Sequence, residues 1–273
     1  LEACEPAERE GVRARARDVD TVIGKMSGVI TDPAEVEARR LATITGALPE
    51  AFLVEAFDRI LVSRVDPAGV QHPGIPVLRE VDDLAPFEDA KLLGHNATHA
   101  LAGFIGHLLG LSLVAELRGT PGAMAFLRDA FIGESGAALI ARRGGSDELF
   151  TPTGYAAFAD DLLERMVDPH LADTIERAAR DPRRKLGWDD RLIGLLRVGL
   201  AEGVATPRYA MGVAAGLDVL RDADMSGGDA ELLGSLWPRE VAGPERDAVL
   251  DLVDEGREWL TRWQAGGFEA ISR

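Results

Sequence analysis

The sequence predicts a mainly α-helical domain that contains at most one small sheet. Proline at helix starts and glycine after helix ends recur along most of the 273 residues, as is typical of a chain built from successive helices. The regular alternation of strands and helices that a doubly wound α/β fold requires does not occur. Two short β-branched runs are the exception, and they predict an antiparallel sheet near residues 60–81.

The first predicted elements lie before the main run of helices. Thr31 or Asp32 is placed to cap a helix whose first turn holds Pro33. Leu53–Val65 is ambiguous, but its second half is β-branched, and Ile75–Val81 has the same character, so both runs predict short strands. We assign residues 1–18 to a remnant or junction segment and residues 19–273 to one helical domain.

Helices follow one another in the rest of the chain. The first is predicted from about Pro86 to Leu109, with Glu88 and Asp89 in its first turn, where the helix dipole favours acidic side chains. Gly110 is placed to end it, and Gly and Pro separate the helices that follow. These further helices are predicted at Pro121–Arg143, Pro152–Val167, Leu171–Arg180, Asp189–Glu202, Pro207–Arg221, Asp229–Leu236 and Pro244–Ala265.

Composition excludes several classes of partner. The formal net charge of −16 argues against nucleic acid and anionic membrane, because both require a basic face. The single cysteine, Cys4, allows no internal disulfide and favours a reducing compartment, so we expect a cytoplasmic protein. No signal peptide opens the chain, and the apolar run Ala100–Val114 is too short to span a bilayer. Because the chain starts at Leu1 rather than Met, we expect a fragment or a processed product.

The segment Lys91–Ala100, "KLLGHNATHA", gives an otherwise apolar helix a polar start. At about 100° per residue, Lys91, His95 and His99 fall on one stripe, and Asn96 lies on its flank. A partly desolvated lysine acts as a general base near neutral pH, and Asn and His supply hydrogen bonds to an alcohol or a carbonyl. A partly exposed helix end without a function is the alternative. A metal shared by the two histidines is disfavoured, because no third ligand is evident.

The second candidate feature is a basic run, Arg177–Arg197, in a chain that is otherwise acidic. A solvated surface patch, paired with local Asp and Glu, would explain it. An anion site is the functional interpretation, because arginine forks and a lysine charge suit the phosphate or carboxylate of a small molecule. The sequence pattern by itself leaves both interpretations open.

Together the two features resemble the polyol-specific long-chain dehydrogenases, and among them the mannitol-1-phosphate 5-dehydrogenases. That family's motif is Lys, four residues, Asn, two residues, His, and Lys91, Asn96 and His99 have this spacing. The lead-in "DDLAPFEDAK" and the continuation "GFIGHLLG" are similar to the family as well. A second block, "RAARDPRRKLGWDDRLIG", resembles the family's Arg-to-Lys segment, with Arg177 and Lys185 eight residues apart. The resemblance covers roughly residues 18–217.

The resemblance implies a role for each matched residue. Lys91 would be the general base that takes the hydroxyl proton as hydride leaves for NAD, and Asn96 would stabilise the alkoxide. His99 would hydrogen-bond the substrate, a sugar alcohol or sugar phosphate, near the reacting carbon. Arg177 and Lys185 would bind its distal hydroxyls or phosphate. No metal is implied, because the lysine and the amide take over the Lewis acid's role. The implied fold is the family's largely helical C-terminal domain.

Two departures from the family leave alternatives open. The family has an N-terminal Rossmann domain, but the sequence contains neither G-x-G-x-x-G after a strand nor G-x-x-x-x-G-K-[ST]. NAD would therefore be bound mainly by a domain outside this sequence, such as a Rossmann domain in cis, and hydride transfer by this chain alone is doubtful. The family's second oxyanion Asn lies in a segment resembling "ACEN", where this chain has "ACEP" with Pro6. One alternative is thus a non-catalytic helical domain for binding or assembly. Another keeps the chemistry but takes an unphosphorylated polyol or a sugar acid.

Overall fold

The structure is a computed structural model, and it describes residues 19–24, 27–54, 59–64, 75–223 and 225–271. These residues divide into two compact units. The first unit contains residues 19–24, 59–64 and 75–88, and the second contains residues 27–54, 89–223 and 225–271. The predicted junction segment, with Cys4 and Pro6, lies outside the described residues.

Six short strands of the described residues form two separate three-stranded sheets. They are β1 (Thr21–Val22), β2 (Ser27–Ile30), β3 (Thr43–Thr45), β4 (Leu48–Val54), β5 (Ile60–Ser63) and β6 (Leu78–Val81). One sheet has the strand order β1-β5-β6 and lies in the first unit. The other has the order β2-β4-β3 and lies in the second unit.

The β1-β5-β6 sheet contains the two runs that were predicted as strands near residues 60–81. β1 is antiparallel to β5, with Thr21 opposite Val62, whereas β5 and β6 are parallel, with Ile60 opposite Leu78. The predicted antiparallel pairing of these two runs is therefore wrong. Residues 64–77 connect them, and a connection of this length permits the crossover that a parallel pair needs.

The β2-β4-β3 sheet is antiparallel throughout and was not predicted. Val29 lies opposite Phe52, and Gly46 lies in the turn between β3 and β4. Val29, Phe52 and Ile44 are all exposed although they are large and apolar. Because exposed positions of these strands carry apolar side chains, this part of the sequence lacks the alternation of apolar and polar residues that marks a half-buried strand.

Helices make up most of the chain, which confirms the mainly α prediction. Two of them contain a π-helical segment, α2 at Ala90–Asn96 and α3 at Asp129–Gly136. The helices are α1 (Pro33–Ala38), α2 (Ala85–Asp89, Ala90–Asn96 and Ala97–Leu108), α3 (Ala123–Arg128, Asp129–Gly136 and Ala137–Arg143), α4 (Pro152–Met166), α5 (Ile175–Ala179), α6 (Pro182–Lys185), α7 (Arg191–Glu202), α8 (Pro207–Asp222), α9 (Asp229–Leu236) and α10 (Pro244–Gly266). Short 3₁₀ helices lie at Val114–Gly119, Glu148–Phe150, Pro169–Leu171 and Phe268–Ile271.

The helix ends follow the local sequence. The Asp32 side chain accepts the Ala34 N–H and caps α1, as predicted, and Thr151 caps α4 in the same way through the Gly154 N–H. Gly110 follows α2 with φ +68°, a left-handed conformation that glycine adopts without strain. The ends predicted from Pro and Gly therefore differ from the observed ends by only a few residues, except for α5, which is shorter than predicted.

From Ala90 onward, helix α2 lies in the core of the second unit. Ala97, Leu101 and Phe104 on this helix are fully buried, and α2 packs against α5 and α8. Burying each large side chain contributes about 1.5–3 kcal/mol, so this helix is firmly held. Gly103 permits a close approach to α5, because a Cβ there would lie 2.5 Å from the Ala178 carbonyl carbon. Among the described helices, none combines the length and the apolar character needed to cross a membrane.

Candidate active site

The first block of predicted site residues lies on α2, which is otherwise buried at this point. From residue 90 to residue 106 every residue is buried except Lys91, Leu92, Asn96 and His99. Three of these four, Lys91, Asn96 and His99, are predicted site residues. His95, on the same sequence stripe as Lys91 and His99, is buried at 6% exposure. Between residues 90 and 106 the accessible polar side chains of α2 therefore coincide with the Lys-x4-Asn-x2-His motif.

The π-helical segment of α2 explains this exposure pattern. In a π-helix the backbone hydrogen bonds join residues five apart, so side chains at that spacing lie one above the other. Lys91 and Asn96 are five residues apart within the segment Ala90–Asn96. In an α-helix the same two residues would lie about 140° apart around the axis. Single π-helical turns inside α-helices occur frequently at functional sites.

Asp173 joins the two sequence blocks. Its Oδ2 lies 2.7 Å from His99 Nε2, and its Oδ1 accepts a hydrogen bond of 2.7 Å from Arg177 Nε. The Asp173 side chain is only 4% exposed, whereas that of Arg177 is 44% exposed. A buried carboxylate thus orients a half-buried imidazole from one block and an exposed guanidinium from the other.

The electrostatics of this group favour an ionised Asp173. Burial opposes its ionisation, but the hydrogen bonds from His99 and Arg177 outweigh burial and lower the pKa of Asp173 to about 2. A carboxylate only accepts hydrogen bonds, so His99 Nε2 carries the proton of this pair. In the neutral imidazole, Nδ1 is then the acceptor left for a ligand.

Lys185 occupies a buried position next to α5, the helix that carries Arg177. Its Nζ donates a hydrogen bond to the carbonyl oxygen of Ala178, and it lies 5.8 Å from the centre of the Phe104 ring. Only 4% of the residue is exposed. Burial, together with the positive charges of Arg191 and Arg184, lowers the pKa of Lys185 to about 8. The predicted partner of Arg177 therefore binds the backbone of the residue that follows Arg177.

The structure brings some of the predicted residues together and leaves others apart. His99 and Arg177 share Asp173, and Lys185 is bound to the residue beside Arg177. Within the described part of the chain, Lys91 and Asn96 form no side-chain hydrogen bond or ion pair. They are connected to His99 only because all three residues lie on α2. Their polar atoms are therefore uncommitted to other side chains.

The part of the chain that the structure describes contains no set of ligands for a metal shared by His95 and His99. No three His, Cys, Asp or Glu side chains lie together there in a way that could hold an ion. His99 is instead bonded to Asp173, and His95 lies within the core.

Two surface cavities are lined by other residues. One, of about 310 Å³, is lined by Trp237, Arg239 and Arg246 among others. The other, of about 510 Å³, lies in the first unit against Arg59 and Arg79. Neither is lined by a predicted site residue, and the candidate active site is described by its polar side chains.

Sequence reasoning missed Asp173, which holds the site together. The signal was the spacing of Asp173 and Arg177, because residues four apart are neighbours on a helical turn. It also missed the buried hydroxyls of Thr98 and Ser135, which donate to the carbonyl oxygens of Gly94 and Leu93 in the π-helical segment. No periodic pattern marks such hydroxyls, because they contact the backbone of an element distant in sequence or one turn away.

Comparison with known proteins gives a family match and several relatives. The sequence profile of the mannitol dehydrogenase C-terminal domain matches residues 83–254. A curated relative, the mannitol-1-phosphate 5-dehydrogenase of Paenarthrobacter aurescens (strain TC1), is 34% identical over 154 residues. That alignment covers 56% of this chain and 38% of the relative, so the chain corresponds to only part of that protein.

Two solved structures have a similar fold. A substrate-free D-sorbitol dehydrogenase superposes with a TM-score of 0.67 at 17% identity, covering 100% of this chain and 57% of that one. The Pseudomonas fluorescens mannitol 2-dehydrogenase, solved as a ternary complex with NAD and D-mannitol, superposes with a TM-score of 0.68 at 16% identity. That superposition covers 97% of this chain and 55% of the other. At such low identity the likeness shows the fold alone, and the chain spans little more than half of either protein.

Proposed function

Since the chain belongs to the mannitol dehydrogenase C-terminal domain family, we propose that it is the substrate-binding and catalytic-lysine domain of an NAD-dependent polyol-phosphate dehydrogenase. The proposed reaction interconverts mannitol 1-phosphate and fructose 6-phosphate. The 34% identical relative, a mannitol-1-phosphate 5-dehydrogenase, supports this choice of substrate. One observation carries the proposal: Lys91, Asn96 and His99 are the accessible polar side chains of residues 90–106, a stretch of α2 that is otherwise buried except for Leu92, and Asp173 joins His99 to Arg177.

In this proposal Lys91 acts on the reacting hydroxyl. Its neutral amine takes the hydroxyl proton of the polyol, and in the reverse direction its ammonium returns a proton to the ketone oxygen. The Asn96 amide donates a hydrogen bond to the same oxygen and stabilises its alkoxide character. Because Lys91 and Asn96 form no other side-chain bonds among the described residues, no existing interaction has to break for either to bind a substrate.

His99 and Arg177 bind the substrate at a fixed orientation. Asp173 holds the Nε2–H of His99, which leaves Nδ1 to accept a hydrogen bond from a substrate hydroxyl near the reacting carbon. Asp173 binds Arg177 through Nε, so the outer nitrogens of the guanidinium stay available for a phosphate. Lys185 adds a positive charge at Ala178, the residue after Arg177. It contacts the phosphate directly only if its amine leaves the Ala178 carbonyl oxygen.

The described residues do not fit a dinucleotide-binding site. No glycine-rich turn joins a strand to a helix among them, and such a turn is what brings a backbone close to a pyrophosphate. NAD, when bound, supplies the hydride acceptor, and we propose that a Rossmann domain in cis binds it. This chain's own residues then account for the proton transfer and the substrate contacts.

The test measures NADH oxidation with fructose 6-phosphate by a protein that joins this chain to its NAD-binding domain. Lys91→Ala is expected to lower kcat by about 10²–10⁴, the usual contribution of a positioned general base. Arg118→Ala is the matched control, because it removes a surface cation whose partner is the exposed Glu164. Unchanged turnover in Lys91→Ala would overturn the proposed function.

The same assay separates the alternatives. Turnover of fructose or of a sugar acid, without turnover of fructose 6-phosphate, would keep the chemistry and reject the phosphorylated substrate. Binding of NADH without turnover of any of these substrates would support the non-catalytic binding or assembly domain.

A further inference from the structure

Two carbonyl oxygens of the π-helical segment accept hydrogen bonds from buried side-chain hydroxyls. Ser135 Oγ donates to the Leu93 oxygen at 3.1 Å, and Thr98 Oγ1 donates to the Gly94 oxygen at 2.9 Å. Both carbonyls lie between Lys91 and Asn96 in the sequence. A helix that changes from four-residue to five-residue hydrogen bonding needs partners for the backbone groups displaced at the change, and side-chain groups commonly provide them.

Each of these hydroxyls is paired with a buried tyrosine. The Tyr155 hydroxyl lies 2.9 Å from Ser135 Oγ, and the Tyr209 hydroxyl lies 2.6 Å from Thr98 Oγ1. Ser135 and Thr98 use their single protons on the carbonyls, so the tyrosines donate in both pairs. All four residues are completely buried, and burial raises the pKa of both tyrosines, which keeps them protonated.

The packing around Gly94 adds a steric requirement. A Cβ at Gly94 would lie 2.6 Å from the Tyr155 hydroxyl oxygen and 3.0 Å from a ring carbon of Phe131. The backbone of the π-helical segment therefore lies directly against Tyr155. Ser135 belongs to the second π-helical segment, Asp129–Gly136, so two such segments contact each other through this hydroxyl.

We propose that the pairs Ser135–Tyr155 and Thr98–Tyr209 are positioning residues, which hold the π-helical register that aligns Lys91 with Asn96. The proposal rests on the proposed function, because the alignment matters for catalysis only if these two residues act on one oxygen. Loss of the π-helical turn would rotate Asn96 by about 100° relative to Lys91, the angle of one residue. The hydroxyl pairs hold the register from the buried side and need no contact with substrate.

Four variants remove one hydroxyl each with little change in shape, namely Thr98→Val, Ser135→Ala, Tyr155→Phe and Tyr209→Phe. Thr261→Val is the matched control, since Thr261 Oγ1 also donates to the carbonyl four residues earlier, that of Arg257, at 2.9 Å, but in an α-helical turn of α10. Thr98→Ser keeps the hydroxyl and should restore the wild-type behaviour.

The first readout does not depend on turnover. Amide hydrogen exchange over residues 90–97 is expected to accelerate about tenfold in the four variants, the effect of one lost buried hydrogen bond, and not in Thr261→Val. Reductive methylation with [¹³C]formaldehyde gives one NMR signal for each of Lys25, Lys91 and Lys185, and the Lys91 signal, assigned with Lys91→Arg, should shift. Wild-type exchange and an unshifted Lys91 signal in all four variants would overturn the proposal.

The second readout is turnover of fructose 6-phosphate by the protein joined to its NAD-binding domain. We expect kcat to fall about 10- to 100-fold with KM nearly unchanged, because misalignment by about 1 Å affects the transition state more than binding. Faster exchange with an unchanged kcat would show that the pairs hold the register without serving catalysis, which also overturns the proposal. An unaffected Lys91→Ala variant would instead reject the proposed function, whatever the exchange data show.

Discussion

His99 and Asp173 lie 74 positions apart in the chain, and a 2.7 Å hydrogen bond joins His99 Nε2 to Asp173 Oδ2. The same carboxylate accepts from Arg177 Nε, also at 2.7 Å. This buried carboxylate is the link between the polar face of α2 and the basic run that begins at Arg177. Its removal should therefore disturb both halves of the candidate active site together.

Replacement of Asp173 by Asn is expected to destabilise the fold by about 1–3 kcal/mol, because one carboxylate oxygen becomes an NH₂ group that cannot accept from His99 or Arg177 and the buried negative charge between them is lost. Urea unfolding at pH 7 measures the change. Asp160→Asn is the control, since Asp160 also binds an arginine, Arg128, but both side chains are about half exposed. Surface pairs contribute little, so the control should lose much less. Equal losses in the two variants would argue against a special role for Asp173.

The pKa of Asp173 predicts a loss of stability in acid. Its folded-state pKa of about 2 lies below the ordinary 3.8, so its ionisation stabilises the fold above pH 4. That contribution, of order 2 kcal/mol, disappears as the pH falls through the window from 4 to 2. Unfolding free energies measured across this window should decline more steeply in the wild type than in Asp173→Asn.

Arg177 should determine preference for a phosphorylated substrate if the proposed function holds. Arg177→Met is expected to lower kcat/KM for fructose 6-phosphate about 10- to 100-fold, the contribution of hydrogen bonds to a charged group, while that for fructose changes little. Steady-state rates with both substrates measure this preference. A similar loss with both substrates would place Arg177 in the support of His99 instead of the phosphate site.

Lys185 offers a contrast within the same basic run. It is buried, and its amine is bound to the Ala178 carbonyl oxygen, so Lys185→Met keeps much of the packing but loses that bond. If Lys185 binds the phosphate directly, this variant raises KM for fructose 6-phosphate alone. If it supports α5, the variant lowers the unfolding free energy and affects both substrates alike.

The fold and the candidate site could be predicted from the sequence to different extents. Helices with clear ends were predictable, because Asp32, Thr151 and Gly110 act through contacts within a few residues. The parallel pairing of β5 with β6 was not, because strand direction depends on the path of the connection and not on the strands themselves. Local signals thus predict elements better than they predict how elements pair.

The site shows the same division. The spacing of Lys91, Asn96 and His99 is visible in the sequence, but a regular period of 100° per residue places His95 on their stripe. The π-helical segment changes that period, and its Leu93 carbonyl accepts a hydrogen bond from Ser135, a residue 42 positions away. The roles proposed for the five predicted site residues stay predictions, since the structure fixes their places and not their chemistry.

Gly103 sets the distance between α2 and α5. A Cβ at Gly103 would lie 2.5 Å from the Ala178 carbonyl carbon and 2.7 Å from its oxygen, and backbone atoms yield less readily than side chains. Gly103→Ala is therefore expected to destabilise the fold by about 1–3 kcal/mol, as overpacking does. Gly133→Ala is the control, because nothing lies within 4 Å of the added methyl group there. It should be neutral or stabilise by up to about 1 kcal/mol, because alanine favours helix.

Thermal or urea unfolding of these two glycine variants gives the comparison. His99 lies on α2, and Asp173 lies two residues before the start of α5. A wider separation of the two helices in Gly103→Ala should therefore also weaken the contact between His99 and Asp173, which the imidazole NMR shifts of His99 report. Loss of stability in Gly133→Ala equal to that in Gly103→Ala would show that glycine is needed for backbone freedom and not for close packing.

Glu134 gives a pH dependence of opposite sign to that of Asp173. Its carboxylate accepts the backbone N–H groups of Arg208 and Tyr209 at the start of α8, at 3.0–3.2 Å, and pairs with the Arg208 guanidinium at 3.1 Å. Burial raises the pKa of Glu134 to about 7, against the opposing effect of these hydrogen bonds. Between pH 4.5 and 7 the folded state therefore keeps a proton that the unfolded state has released.

Unfolding free energy should consequently fall as the pH rises from 4.5 to 7, by at most roughly 3 kcal/mol, and should level off above pH 7. Urea unfolding at several pH values in this window measures the slope. Glu134→Gln removes the titrating group and should flatten it. Glu164→Gln, which alters an exposed carboxylate bound to Arg118, should keep the wild-type slope. A wild-type slope in Glu134→Gln would assign the titration to another group.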